Sequence, residues 1–237
     1  MKAIARPLVG WVSIPAAPLG IFNIYCYMVA VNGDVEALFK PATALALSPT
    51  AIEWFRVGML ADSFSFYLPF LLIGGFIWTR LRDRADGLVD IAILALVVYV
   101  VLGIAGTSMQ IVTLPALAAT HAGGDAVIKA ASESAWQAIV LATERGLWWM
   151  EGPLLAFWAI VTGRALHREG WGSGRALVVS GYLYAVIFVC AFVGMNRQVE
   201  DVLLGGVTIL VPLWLVLFGV GLLRNKNVPA YRDRAPG

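Results

Sequence analysis

The sequence predicts an all-α fold: a polytopic membrane helix bundle of about six transmembrane helices, forming a single domain over residues 1–237. Composition is the first observation behind this prediction. Of the 237 residues, 60% are hydrophobic and only 14% are charged, whereas a soluble domain is nearer half apolar and a quarter charged. The second observation is that the apolar residues come in long blocks. The third is how Lys and Arg are distributed between those blocks.

Six apolar blocks are each long enough to cross the hydrocarbon core as a helix. Helices are expected because a segment in lipid must satisfy its own backbone hydrogen bonds. The fourth span can begin earlier, as an amphipathic helix near Val127. The connections 32–56 and 113–140 are long, and each has room for a short helix on the membrane surface. The predicted spans lie at about residues 8–31, 57–79, 88–112, 141–165, 176–195 and 202–223.

The basic residues alternate between the two sides that six spans would create. One side, which includes both termini, holds twelve of the 17 Lys and Arg residues, and the other side holds five. Cytoplasmic connections of membrane proteins are enriched in Lys and Arg. We therefore expect a multi-pass protein of the bacterial inner membrane with both termini in the cytoplasm.

Three carboxylates lie inside or close to the predicted spans. Asp62 is about two turns into the second span, and Glu151 lies at a similar depth in the fourth. Glu144 comes seven residues before Glu151, which is two turns of a regular α-helix, so the two are expected on one face about 10 Å apart. Ionisable groups within a membrane are costly and indicate function by default. Asp62 and Glu151 are therefore our candidate catalytic pair.

Other polar residues of the predicted outer half are candidates to bind a ligand beside these carboxylates. A pocket opening to the outer side would bring them together. The candidate ligand-binding residues are Asn23, Tyr25, Ser65, Tyr67, Gln110, Glu144, Arg145 and Asn196.

A structural role for the carboxylates is the alternative. In that interpretation Asp62, Glu144 and Glu151 form ion pairs with Arg56, Arg145 and Arg197 and tie helix ends together. The functional interpretation instead relies on the carboxyls as proton donors, a role that suits a carboxyl held in an apolar site.

Several function classes receive no support from the sequence. His121 and His167 are predicted on opposite sides of the membrane, so a histidine-ligated haem or metal is not expected, and no metal site is predicted. Cys26 and Cys190 are isolated and form no CxxC pair. The net charge of +2 is small and scattered, which argues against nucleic acid as a partner. The expected partners are membrane lipids, a hydrophobic small molecule or another membrane subunit, and the cofactor, if any, stays unknown.

Two stretches of the later spans carry a family resemblance. They are RGLWWMEGPLLAFWAIVTGRALHREGWGSGRALVVSGYLY, which begins at Arg145, and the closing ILVPLWLVLFGVGLLR. The chain resembles here a bacterial six-helix integral membrane family catalogued only as a domain of unknown function. In that family a long helix ends in a basic turn, a Gly-containing helix follows, and the last span closes on an apolar run before Arg or Lys. The resemblance lies mainly in the C-terminal half; it implies the topology and transfers no functional residue.

Three functions are compatible with the sequence. The leading hypothesis is an integral membrane protein that binds a hydrophobic ligand or partner, or that serves as a subunit of a membrane complex. The second is a membrane-embedded acid/base enzyme acting on a lipid-like or isoprenoid substrate through Asp62 and Glu151. The third is a small-molecule transporter.

Overall fold

The protein is helical throughout the part of the chain that the computed structural model describes. That part is residues 2–83, 85, 87–193 and 197–224, without the side chains of 2–5, 197–205 and 208. Nine α-helices follow one another in these residues. They are α1 (Lys2–Ala30), α2 (Pro41–Leu45), α3 (Pro49–Asp62), α4 (Leu68–Leu81), α5 (Leu88–Gly123), α6 (Ala126–Ala142), α7 (Trp148–Arg168), α8 (Gly174–Phe192) and α9 (Arg197–Leu223).

Two π-helical turns join consecutive α-helices without a break in the helix. The first π turn, Ser63–Tyr67, connects α3 to α4, and the second π turn, Thr143–Leu147, connects α6 to α7. Residues 49–81 and 126–168 therefore each form one long helix with a widened turn in its middle. A π turn inserts one extra residue into a helix and is frequent at functional sites.

The helix ends follow from local chemistry. The Ser48 side chain accepts a hydrogen bond from the Ala51 backbone N–H at the start of α3. Asp125 does the same for Val127 and Ile128 at the start of α6. Such caps satisfy backbone donors that the first helical turn leaves unpaired.

The predicted spans fall largely within long helices, except that residues 194 and 195 of the fifth lie outside the described residues. Among the described residues, four helices are long and apolar enough to cross a membrane: Arg6–Ala30, Pro49–Leu81, Leu88–Gly123 and Gly174–Phe192. Ile209–Leu223 is apolar but shorter. The predicted fourth span lies in the helix 126–168, which does not meet the same criterion. The structure thus shows an all-helical chain with several apolar helices, the coarser part of the predicted fold class.

The connections differ from one another. The connection after α1 contains a 3₁₀ turn, Ala37–Phe39, and the short helix α2, as predicted. Residues 113–140 were expected to form a connection that could hold a short helix, with an amphipathic helix from near Val127 as an alternative. The helix of the predicted third span does not end near residue 112, because α5 continues through Pro115 to Gly123. The start of α6 at Ala126 agrees with the alternative.

Large apolar side chains cover the outside of these helices. Leu94 and Val112 on α5 are each about two-thirds exposed, and Phe192 on α8 is exposed further still. Soluble proteins rarely expose contiguous apolar surface on this scale. The exposed faces are therefore suited to lipid.

Contacts along the chain divide it into two compact units. The aromatic unit consists of Met1–Ala17, Pro69–Val98 and Gly152–Gly237, and the carboxylate unit of Pro18–Leu68 and Tyr99–Glu151. Four rings pack together inside the aromatic unit. Trp158 contacts Phe70 and Trp214 edge-on, with ring centroids 5.7 and 6.2 Å apart, and Trp214 stacks on Phe218 at 5.1 Å.

The carboxylate unit has an apolar core of its own around Trp136. This side chain is fully buried, and its indole N–H donates to the Leu38 carbonyl at 2.9 Å. Leu38, Phe55 and Leu114 belong to the same core. Burial of these side chains anchors the connection after α1 to α3, α5 and α6.

Candidate functional site

All three candidate carboxylates belong to the carboxylate unit. Asp62 ends α3 immediately before the first π turn, Glu144 lies in the second π turn, and Glu151 follows in the first turn of α7. We call Asp62, Glu144 and Glu151 the carboxylate cluster. Glu151 lies close enough to both of the others to be repelled by their charges.

The second π turn changes the expected relation between Glu144 and Glu151. Their predicted common face assumed a regular α-helix, in which seven residues make two turns. Residues 143–147 are π-helical instead, and the wider turn shifts the angular phase of every residue that follows it. The assumption behind the common face is therefore wrong.

Asp62 is held by neutral groups. Its Oδ1 accepts a hydrogen bond from Asn23 Nδ2 at 3.0 Å, which links α1 to the end of α3. The Ser65 hydroxyl, fully buried in the first π turn, donates to the Asp62 backbone carbonyl at 3.1 Å. Of these two candidate ligand-binding residues, Asn23 contacts the Asp62 carboxylate directly. The Ser65 hydroxyl donates its hydrogen bond to the backbone instead.

Glu151 is hydrogen-bonded by Tyr67, a residue of the first π turn. The Tyr67 hydroxyl donates to Glu151 Oε2 at 3.2 Å, and Tyr67 also interacts electrostatically with Asp62. The ring of Tyr67 is buried, with its centroid 5.4 Å from that of Tyr99. One tyrosine hydroxyl therefore connects two members of the carboxylate cluster.

A glycine on α5 makes room for the Tyr67 ring. A Cβ atom at Gly103 would overlap the ring atoms of Tyr67, and one at Gly106 would overlap Trp148. The close approach of these rings to α5 therefore requires the absence of a side chain at both positions.

Glu144 is hydrogen-bonded by Gln110, which is fully buried on α5. Gln110 Nε2 donates to Thr143 Oγ1 at 2.7 Å and to Glu144 Oε1 at 3.2 Å. The Thr143 hydroxyl in turn donates to the Ile139 backbone carbonyl at 2.9 Å. Gln110 therefore links α5 to the second π turn.

The carboxylate cluster forms no ion pair within the described part of the chain. Arg56 pairs with Glu53 at 2.7 Å. Arg145 is exposed and lies over the Phe39 ring, 5.7 Å from its centroid. The pairs that the structural interpretation predicts with these two arginines are thus absent, and the side chain of Arg197 is outside the described residues.

The remaining candidate residues are spread out. Tyr25 is 56% exposed and packs edge-on against Trp54 at 6.0 Å. Asn196 lies outside the described residues. Sequence reasoning missed Thr107, whose buried hydroxyl lies 3.1 Å from that of Ser63, and Thr143. The available signal for Thr143 was its place beside Glu144 in the predicted fourth span, whereas Thr107 lies in the third span and had no such signal.

The described residues contain no group of three or more His, Cys, Asp and Glu side chains placed to hold a metal ion. His121 and Glu133 form a separate pair at 2.9 Å between α5 and α6. What the cluster offers is a set of carboxylate, amide and hydroxyl groups that can hydrogen-bond a ligand or pass a proton.

No family model, curated protein or solved structure matches this chain. The resemblance to a six-helix family therefore stays a prediction.

Proposed function

We propose that this protein is a multi-pass protein of the cell inner membrane that crosses the bilayer six times, with both termini in the cytoplasm, and that it binds a hydrophobic ligand at the carboxylate cluster. The observation that carries the ligand site is that Asp62, Glu144 and Glu151 each accept a hydrogen bond from a neutral group and none has a cationic partner among the described residues. The site lies in the outer half of the membrane in this topology.

Energetics favour a role in binding over a role in stability. Carboxylates within a membrane cost free energy unless they are paired, and they face the interior or a cavity when they serve a function. Replacing such groups with apolar side chains of similar volume is often neutral or stabilising. Residues that tie helices together would be expected to use the nearby Arg56 and Arg145, and these arginines have other partners.

Six spans are supported by the four helices that meet the length and hydropathy requirement and by the uneven distribution of Lys and Arg. Single cysteines introduced into a Cys26→Ala, Cys190→Ala background test the topology. A membrane-impermeant maleimide added to spheroplasts should label Asp34→Cys and Ala122→Cys, and should label Asp83→Cys and Arg168→Cys only after permeabilisation. Labelling of any site from the opposite side rejects the six-span topology.

Mass spectrometry of the purified protein tests the ligand site. We expect the wild-type protein to retain a specific small molecule or lipid, and the double variant Asp62→Asn, Glu151→Gln to lose it. Asp34→Asn is the matched control, since Asp34 lies in the same unit but is exposed and paired with Lys40. An identical set of bound molecules in all three proteins contradicts the proposal.

The link through Tyr67 favours one second candidate: a membrane-embedded acid/base enzyme acting on a lipid-like or isoprenoid substrate. A hydroxyl between Asp62 and Glu151 would give a proton a short path from one carboxyl to the other. An enzyme would convert its substrate, whereas the Glu151→Gln variant would retain it unchanged. A difference in chemical structure between the molecule that Glu151→Gln retains and the one that the wild-type protein retains or releases therefore supports the enzyme. A molecule that stays chemically unchanged during prolonged incubation with the wild-type protein excludes it.

A further inference from the structure

The hydrogen-bond donors of the carboxylate cluster are already used, while acceptors are left over. Asn23 Nδ2 is bonded to Asp62, Gln110 Nε2 to Thr143 and Glu144, and the Tyr67 hydroxyl to Glu151. Their bonds to carboxylate oxygens fix the orientation of both amides, because an amide oxygen facing a carboxylate would be repelled.

Three oxygen atoms of the same groups are buried without a partner among the described residues: Asn23 Oδ1, Gln110 Oε1 and Glu151 Oε1. Gln110 is the clearest case, since the whole residue is buried and its amide reaches the cluster. A buried acceptor without a donor costs about 1–3 kcal/mol. The cluster therefore has more acceptors than donors among the described residues, and none of its carboxylates forms an ion pair there.

From this imbalance we infer that the ligand of the carboxylate cluster is an amphiphile whose polar end is a protonated amine, an inference that rests on the ligand site proposed above. An ammonium group carries three donors, no acceptor and one positive charge. It would supply the unpaired oxygens with hydrogen bonds and reduce the repulsion between Glu151 and its two acidic neighbours. Neither Arg56 nor Arg145 donates a hydrogen bond to a cluster carboxylate: Arg56 Nη1 binds Glu53, and Arg145 lies over the Phe39 ring.

The apolar body of the ligand follows from the surface of the carboxylate unit. Leu60, Phe64 and Val101 are each at least half exposed. A molecule that reaches buried groups through such a surface must itself partition into the bilayer.

Binding of three probes with the same alkyl chain tests this inference: octylamine, octyltrimethylammonium and octanol. The purified full-length chain in a non-ionic detergent is titrated with each probe, and the dissociation constant is taken from the shift in thermal unfolding. Octylamine should bind about tenfold more tightly than either of the others, since octyltrimethylammonium has the charge without N–H donors and octanol has no charge.

Variants of the cluster carboxylates test whether the preference for octylamine arises at the carboxylate cluster. Asp34→Asn should keep the preference for octylamine, because Asp34 is exposed and pairs with Lys40, and Asp62→Asn or Glu151→Gln should reduce it to about threefold or less. If either cluster variant fails to fold, the other one and the wild-type probe series still decide the outcome.

Each other outcome overturns the inference in a recognisable way. Equal binding of octanol and octylamine, lost in the cluster variants, keeps the proposed hydrophobic ligand site and rejects the amine. Equal binding of octylamine and octyltrimethylammonium rejects the need for N–H donors. Stabilisation by Na⁺ or Mg²⁺ that displaces octylamine assigns the site to an inorganic cation. No binding of any probe, together with no molecule retained on purification, rejects the ligand site itself.

Discussion

The two compact units use their interiors differently. The aromatic unit is closed by rings: Trp158, Trp214, Phe70 and Phe218 contact one another at ordinary aromatic distances. The carboxylate unit has an apolar core around Trp136, but it also buries Gln110, Thr107, Thr143 and Ser65 completely and holds both π turns.

This difference separates stability from function. Packed aromatic rings bury large apolar areas, and the aromatic unit leaves only neutral donors, Trp214 Nε1 and the Ser173 hydroxyl, buried without a partner among the described residues, whereas the carboxylate unit leaves acceptors beside acidic groups. Buried polar groups whose acceptors are unpaired lower the stability of the fold. Their presence within a membrane protein therefore indicates a role in function, such as ligand binding. Substitutions in the aromatic unit should therefore reduce stability, and those in the carboxylate cluster should act mainly on binding.

The largest loss of stability is expected for Trp158→Ala. This change removes a fully buried indole from the ring cluster, and such truncations cost about 3–5 kcal/mol. The free energy of unfolding is measured by titration with a denaturing detergent in mixed micelles. Trp11→Ala is the control, because Trp11 is 65% exposed in the same unit. Similar losses for both tryptophans would show that the ring cluster does not stabilise the aromatic unit.

Gln110→Ala should cost about 1.5–3 kcal/mol, because Gln110 donates a hydrogen bond to a charged carboxylate and leaves a buried group unpaired when it is lost. The same unfolding titration measures this cost. Gln137→Ala on α6 is the matched control, since Gln137 is exposed. A Gln110→Ala protein as stable as the control would mean that the link between α5 and the second π turn contributes nothing.

Gly103→Ala and Gly75→Ala should change stability in opposite directions. A methyl group at Gly103 would overlap Tyr67, whereas the space around Gly75 is open. Overpacking costs about 1–3 kcal/mol, and an alanine that fits within a helix adds about 0.5–1 kcal/mol. Thermal unfolding of both variants compares them. Equal effects would contradict the close packing of Tyr67 against α5.

The smallest loss of stability is expected for Tyr67→Phe. Loss of the hydroxyl removes one hydrogen bond to Glu151, about 0.5–1.5 kcal/mol, and keeps the ring. Binding of octylamine should change more than stability does, because Glu151 then loses the donor that it has among the described residues. Tyr25→Phe is the control, with an exposed ring outside the cluster. Identical octylamine affinities of Tyr67→Phe and the wild-type protein would separate Tyr67 from the site.

Much of the helical framework could be predicted from hydropathy. Helix formation depends on local residues, and a block of apolar residues in lipid has little alternative to a helix. The ends were less predictable, as α5 shows by continuing to Gly123. The π turns left no sequence pattern that separates them from regular helix, because their wider geometry is set by the packing of neighbouring segments.

The candidate site likewise has a part that the sequence could predict and a part that it could not. Asp62, Glu144 and Glu151 could be singled out because a carboxylate in an apolar block is conspicuous. Their partners could not, since Asn23 is 39 residues from Asp62 and Tyr67 is 84 residues from Glu151. Arg145 shows the limit most clearly: it follows Glu144 in the chain, yet its side chain lies over Phe39.

The sequence by itself determined an apolar, helical chain with three acidic groups where apolar residues prevail, because hydropathy and charge are properties of each residue. Only the tertiary structure decided that these groups belong to one compact unit, that neutral donors bind them and that no described arginine does. Those outcomes depend on which distant side chains pack together, and Tyr67 and Glu144 lie within the two π turns themselves.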